Sequence, residues 1–140
     1  VWKVGVRNPR DQSKNICVLP VSNLSVATSG DYERYRMVDG KRVHHIIDPR
    51  TGYPGAWCMS VTVAARRAVT ADALATAVVV LGPEEGMALL EELPGVEGII
   101  VDSDGKITAS KGLAGVSEGR PNEKPDRLDS HQKHNESIDQ

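Results

Sequence analysis

Cysteine is scarce in this sequence: Cys17 and Cys58 stand far apart among 140 residues and form no CxxC pair. Two readings stay open for them, a disulfide or two buried free thiols, and neither fixes a compartment. Long apolar runs are lacking as well. The longest nearly apolar run, Ala73 to Leu81, falls well short of the about 20 residues that span a bilayer as a helix. No stripe of Lys and Arg is present, the net charge is −2, and the few aromatics do not alternate with basic residues. Nucleic-acid binding therefore has no positive support, and no nucleic-acid partner is expected. No internal repeat is visible. An initiator methionine and a signal peptide are also missing. The chain opens on Val1-Trp2-Lys3-Val4-Gly5-Val6, which already reads as strand. A chain that opens this way is expected to have upstream sequence elsewhere, so the missing targeting segment decides nothing.

Apolar residues nearly vanish from about Gly115 onward, where Pro, Glu, Asn, Asp, Ser and Lys take over. Such a stretch cannot bury enough apolar surface to offset its ordering entropy. The folded part is expected over residues 1–113, one domain with one modest core, and a disordered tail over 114–140.

Within the folded part, Trp2, Val4 and Val6 alternate with Lys3, Gly5 and Arg7, the pattern of a half-buried strand. Ile16 to Pro20 and Leu24 to Thr28 are further short β-type runs. Arg34 to Val38 and Lys41 to Ile47 flank Asp39-Gly40, a pair suited to a type I′ hairpin turn. Trp57 to Ala65 is rich in Val and Thr and reads as a longer strand. The pattern then changes. Thr70 is placed to N-cap a helix from Ala71 to about Leu81, with Gly82 after its end. Pro83 opens a second helix to about Leu93. Glu97 to Val101 and Lys106 to Ser110, around Asp102-Ser103-Asp104-Gly105, close the fold as a hairpin. Strands followed by two consecutive helices and a closing hairpin predict an α+β fold built on antiparallel sheet.

The first helix carries the strongest local anomaly. It is apolar almost all round, which predicts burial on most sides, yet Asp72 and Thr76 lie one turn apart on one face. A buried carboxylate needs a partner. One answer is structural: Asp72 in the first turn faces the positive end of the helix dipole, and Thr76 bonds its own i−4 carbonyl. The other is that a carboxylate and a hydroxyl one turn apart share a hard cation such as Mg²⁺.

A second candidate is His44-His45-Ile46-Ile47-Asp48-Pro49-Arg50-Thr51-Gly52-Tyr53-Pro54. His44 and His45 point to opposite faces of a strand, so at most one readily serves a site. The Asp-Pro-Arg-Thr-Gly stretch is turn chemistry. It is either a tight turn beside a structural histidine, or a His, an Arg and turn N–H groups gathered on a phosphate. Third, Thr28-Ser29-Gly30 is small and hydroxylated and follows a strand. It reads as a plain loop or as a loop that lets a phosphate approach the backbone. Asp102-Ser103-Asp104-Gly105 lacks the remaining acids of a calcium loop and reads as a turn. His131 and His134 fall in the expected tail.

These segments occur together in one known family. Trp2-Lys3-Val4-Gly5-Val6-Arg7-Asn8-Pro9, Thr28-Ser29-Gly30-Asp31-Tyr32, His45 through Pro54, Thr70-Ala71-Asp72-Ala73-Leu74-Ala75-Thr76-Ala77 and Leu81-Gly82-Pro83-Glu84-Glu85-Gly86 resemble, in order and spacing, the FAD:protein FMN transferases, or ApbE family. The resemblance covers roughly residues 1–113. It implies an ApbE-like, T-fold-like α+β fold, of which this chain is expected to be the C-terminal half. The missing N-terminal part would supply much of the flavin pocket and a backbone carbonyl ligand.

The resemblance further implies that Asp72 and Thr76 are metal ligands for Mg²⁺. His45 and Ile46 would lie at the FAD pyrophosphate, with Thr28, Ser29 and Gly30 near the bound nucleotide and Asp48 shaping the turn. His45 and Asp72 would be the catalytic residues. The implied reaction moves FMN from FAD, the substrate, to a threonine hydroxyl of an acceptor protein, with release of AMP. Acceptors of this family include flavin-bearing subunits of sodium-pumping NADH:quinone oxidoreductase and related electron-transfer complexes. Two other outcomes are compatible: FAD hydrolysis or FAD binding without transfer, and a non-catalytic fragment that needs its missing half. The family implies an extracytoplasmic, periplasmic or lipid-anchored location.

Overall fold

The computed structural model describes residues 1–114. The tail expected over 114–140, with His131 and His134, lies outside the described residues apart from Ala114. In chain order the elements are β1 (Trp2–Arg7), β2 (Asn15–Val21), β3 (Ser25–Gly30), β4 (Tyr35–Val38), β5 (Lys41–His44), β6 (Cys58–Ala65), α1 (Ala68–Leu81), α2 (Pro83–Glu92), β7 (Glu97–Asp102) and β8 (Ile107–Ala109), then a 3-10 turn at Lys111–Leu113. The α+β class, the antiparallel pairing, the two consecutive helices and the closing hairpin are as the sequence predicts. The strands form three sheets, though: a four-stranded sheet in the order β3-β6-β7-β8 and two separate hairpins, β1-β2 and β4-β5.

Side-chain alternation sorts the four-stranded sheet into two faces. Val61, Val63, Ala65 and Ile100 point at the helices, where they close over Ala71, Ala75, Val78, Val79 and Leu90. Ile99, on the other face, packs with Val6, Cys17, Leu19 and Val21 of the β1-β2 hairpin. The result is three layers: hairpin, sheet, helices. Val61, Val63, Val78, Val79, Leu90 and Ile100 are fully buried, each contributing roughly 1.5–3 kcal/mol of transfer free energy.

Both cysteines are free and buried, one in each apolar layer. Burial raises the Cys17 thiol above its ordinary value and pushes Cys58 up to about 12, with the nearby Asp102 carboxylate adding to the effect. A thiol-specific reagent at pH 8 is therefore expected to modify neither residue in the native chain and both after denaturation. Rapid native labelling of Cys58 would contradict this placement.

Several boundaries differ from expectation, each for a local reason. Helix α1 starts at Ala68, because the N–H groups of Thr70 and Ala71 both donate to the Arg67 carbonyl at 3.1 Å. Arg67, with φ −110° and ψ 132°, caps the helix without a side-chain bond. Thr70 is thus the third helical residue and not the cap, and Asp72 lies beyond the first turn. Nor is α1 buried on most sides. Asp72, Ala73 and Thr76 are exposed, opposite the Ala71-Ala75-Val78 stripe. Strand β5 ends at His44 instead of continuing to Ile47, since the His44 ring binds the backbone on both sides of the following turn. Strand β3 continues to Gly30, paired with β6 throughout, so Thr28-Ser29-Gly30 is strand and not a loop after one. Asp39 and Gly40 have φ of 49° and 75°, both positive as a type I′ turn requires.

Candidate functional site

Helix α1 carries Asp72 and Thr76 on its open face. Among the described residues, Asp72 has neither a hydrogen bond nor an ion pair, and its oxygens are free. The Thr76 hydroxyl lies 3.0 Å from Ser29 Oγ, so strand and helix are joined through two side chains 47 positions apart in the sequence. Alternation explains the meeting. Ala27 packs against the helical layer, and Ser29, two residues on, faces the same way. Thr28 points away, and its hydroxyl pairs with that of Thr62 at 2.8 Å. Gly30 is buried, and the space a side chain would fill there is taken by the Tyr32 ring, 2.5 Å from an ideal Cβ. The structure therefore brings Ser29, Asp72 and Thr76 to one face. Thr28 stands on the opposite face, and Gly30 makes room for Tyr32.

The two histidines behave differently. His44 is buried, accepts from Ile46 N–H at Nδ1 (3.3 Å) and donates from Nε2 to the Gly55 carbonyl (2.6 Å). With both nitrogens engaged it is a structural residue. His45 is exposed, and its Nδ1 faces the Arg34 carbonyl at 3.2 Å, while its backbone N–H donates to the same oxygen at 3.1 Å. A carbonyl only accepts, so Nδ1 carries the proton and Nε2 is turned outward. Ile46 is buried in the helical-layer core. Among the described residues, no hydrogen bond joins His45 to Asp72 or Thr76.

The turn after His45 is saturated internally. Asp48 is buried and takes a bidentate bond from the Arg50 guanidinium, with Nη2 at 2.8 Å and Nε at 3.0 Å. It also accepts the Arg50 N–H at 2.9 Å, while its carbonyl takes those of Thr51 and Gly52. Arg50 reaches on to the Val80 carbonyl at 3.1 Å. Arg50 directs Nε and Nη2 to Asp48 and Val80 while its side chain stays more than half exposed, and Asp48 organises the turn. The loop thereby docks on the C-terminal part of α1, one helical turn past Thr76.

Hydrogen bonds and charge from Arg50 hold the Asp48 carboxyl below the usual carboxylate range. A depressed value favours the folded turn above about pH 4, and that advantage is lost as pH falls through the folded value. Carbon-13 NMR titration is expected to place the Asp48 midpoint below about 3.9, and Arg50→Ala to raise it. An unchanged midpoint in that variant would contradict the pairing.

The sequence offered no role for Asp31, which the structure makes central. Buried at the end of β3, it accepts two bonds from Arg10, at 2.8 and 2.6 Å, and one from Arg42 at 3.3 Å. Arg42 also lies over the Tyr35 ring, 4.2 Å from its centroid. One carboxylate thus ties the turn between β1 and β2 and the β4-β5 hairpin to the four-stranded sheet. No spacing signal exists for it, because its partners lie 21 and 11 residues away, Arg10 on the β1-β2 turn and Arg42 in β5. A separate cleft of about 480 Å³ opens at the α1–α2 junction, lined by Arg50, Trp57, Gly82, Pro83, Glu84 and Glu85. Of the residues the sequence offered as phosphate or metal contacts, Arg50 lines it, and Ser29, His45, Asp72 and Thr76 do not.

An open carboxylate and a hydroxyl one turn apart on a helix, with a serine from an adjacent strand against the hydroxyl, put oxygen donors of the kind hard cations prefer on one face. The chain belongs to the ApbE family, whose model matches residues 1–100. It is 47% identical over 114 residues to an FAD:protein FMN transferase of Treponema pallidum, covering 80% of this chain and 32% of that protein. Among solved structures it resembles the ApbE protein of Thermotoga maritima, with a TM-score of 0.75 and 41% identity over 85% of this chain and 38% of the other. The flavin transferase ApbE of Vibrio cholerae gives a TM-score of 0.66 at 35% identity, over 82% of this chain and 37% of that one. The chain thus spans about a third of the length of the curated relatives it matches, less than the half expected from sequence.

The residues fit a magnesium ion. Among the described residues no three His, Cys, Asp or Glu side chains gather as a metal cage. Magnesium does not need one: it is commonly held by one or two carboxylates together with waters and substrate phosphates. Asp72 would supply the charge and Thr76 a neutral oxygen, and the open face leaves room for the remainder.

Proposed function

We propose that this chain carries the metal-holding part of a magnesium-dependent FAD:protein FMN transferase. The observation that carries the reading is the shared open face of Asp72, Thr76 and Ser29, found in a chain whose family relatives are named for that activity. A divalent cation bound there would neutralise pyrophosphate charge and steady the departing AMP. Asp72 holds the cation by full charge and Thr76 by a lone pair. In the overall reaction, a threonine oxygen of the acceptor protein forms a bond to the FMN phosphorus while its O–H bond breaks and the proton passes to a base and on to solvent. The bond from that phosphorus to the bridging oxygen breaks, and AMP leaves with the electron pair. His45, whose Nδ1 faces the Arg34 carbonyl, would act on the bound substrate through Nε2. Neutral, it can accept a proton; protonated, it can donate to a phosphate oxygen. The acceptor is a protein with a target threonine, of the kind found in flavin-bearing electron-transfer subunits. The proposed location is extracytoplasmic.

A second reading has an observation of its own, the chain's coverage of about a third of its relatives. Under it, this chain folds and presents its residues, and turnover needs the upstream segment. One assay separates the two. The chain is mixed with FAD, Mg²⁺ and a threonine-bearing acceptor domain, and AMP and a flavin mass adduct are measured. A chelator-sensitive adduct supports transfer by this chain alone. AMP without adduct supports FAD hydrolysis. Activity only after the upstream segment is restored supports the second reading.

A further inference from the structure

A hydroxyl in the middle of a helix ordinarily bonds back to the carbonyl four residues earlier. Thr76 does otherwise: its recorded side-chain partner is Ser29 Oγ at 3.0 Å. Either oxygen could donate in that pair, and cation binding would decide which. An oxygen that turns a lone pair to a cation must direct its proton elsewhere, so Thr76 would donate to Ser29. Ser29 would then have its own proton free for an acceptor on the same open face.

We propose that Ser29 is a positioning residue for the cation site: by accepting the Thr76 proton, it keeps a Thr76 lone pair facing the ion shared with Asp72. The proposal rests on the metal reading of Asp72 and Thr76 given above. The mount is rigid. Ser29 pairs across the sheet with Val61, which is fully buried, and Ala27 beside it packs under the helical layer. A hydroxyl on a strand that is paired to β6 along its whole length needs little ordering when the ion arrives. Ser29 gains a second consequence from the same geometry. Its free O–H becomes a donor toward an anionic oxygen on that face, so metal and anion would be recognised through one relay of two hydroxyls.

The test is a titration of the full chain with Mg²⁺ alone, followed by ¹⁵N–¹H NMR, beside Ser29→Ala, Ser29→Thr and Asp72→Ala, with a thermal melt of each. The parent is expected to show saturable shifts around Asp72 and Thr76, absent in Asp72→Ala. Ser29→Ala is expected to weaken magnesium binding about five- to tenfold, the effect of losing one hydrogen bond. Ser29→Thr, which keeps the hydroxyl, is expected to restore it. A parent that binds and a Ser29→Ala variant of equal affinity would overturn the role of Ser29 and leave the metal reading standing, whatever the variant's melting temperature. A parent without Asp72-dependent shifts would overturn the metal reading, and the role of Ser29 with it.

Discussion

Asp72→Ala, in the chain joined to the N-terminal part of a family relative, is expected to abolish magnesium-dependent flavin transfer while changing folding stability by no more than about 0.5 kcal/mol. The two halves of this expectation come from one feature. Asp72 is exposed on α1 and has no recorded hydrogen bond or ion pair, so its removal breaks nothing in the fold, and alanine is the better helix former. The same freedom leaves its charge available to a cation, and no group of three His, Cys, Asp or Glu side chains gathers among the described residues to replace it. Thr76→Ala should be milder, because water replaces a neutral oxygen more readily than a carboxylate. The check is single-turnover AMP release with a thermal melt on the same sample. Magnesium-dependent turnover retained in Asp72→Ala would remove that residue from the metal site.

Asp31→Ala has the opposite character: a large loss of stability from a residue outside the proposed chemistry. It leaves Arg10 and Arg42 without the carboxylate that joins them. Breaking a buried ion pair by removing one partner costs about 3–5 kcal/mol. Here the arginine side chains are 41% and 27% exposed and can turn to water, so about 2–3 kcal/mol is expected. Arg42→Ala should cost less, because the bidentate Arg10 pair survives. The β4-β5 hairpin, which leads directly into His45, should also show faster amide exchange in Asp31→Ala. Urea unfolding of the three proteins measures this. Equal stability of Asp31→Ala and the parent would mean that the clamp carries no net stabilisation.

How far the sequence revealed these features depended on range. Local chemistry was legible: the Asp39-Gly40 turn, Pro83 opening α2, the Gly82 break, and the opposite facing of His44 and His45 all follow from neighbours within a few residues. The pairing of Asp72 with Thr76 was legible from helical period alone. Tertiary facts were not. The α1 N-terminus shifted because the backbone closed on Arg67 without the Thr70 side chain, and that moved Asp72 out of the reach of the helix dipole. Burial of α1 was overestimated because Ala, Val and Leu all round a helix do not say how many neighbours it finds. Thr28 and Ser29 looked equivalent as a small hydroxylated pair, and strand alternation sends them to opposite faces. The bidentate pairing of Arg50 with Asp48 was not legible either, because the turn residues alone do not say which partner the guanidinium takes.

The most direct measurement is mass spectrometry of an acceptor domain after incubation with FAD, Mg²⁺ and this chain joined to the N-terminal part of a family relative. The account predicts an FMN-sized addition at a threonine, AMP in equal amount, and loss of both with chelator or in Asp72→Ala. An acceptor left unmodified in the presence of metal, by a protein that folds and binds FAD, would contradict it.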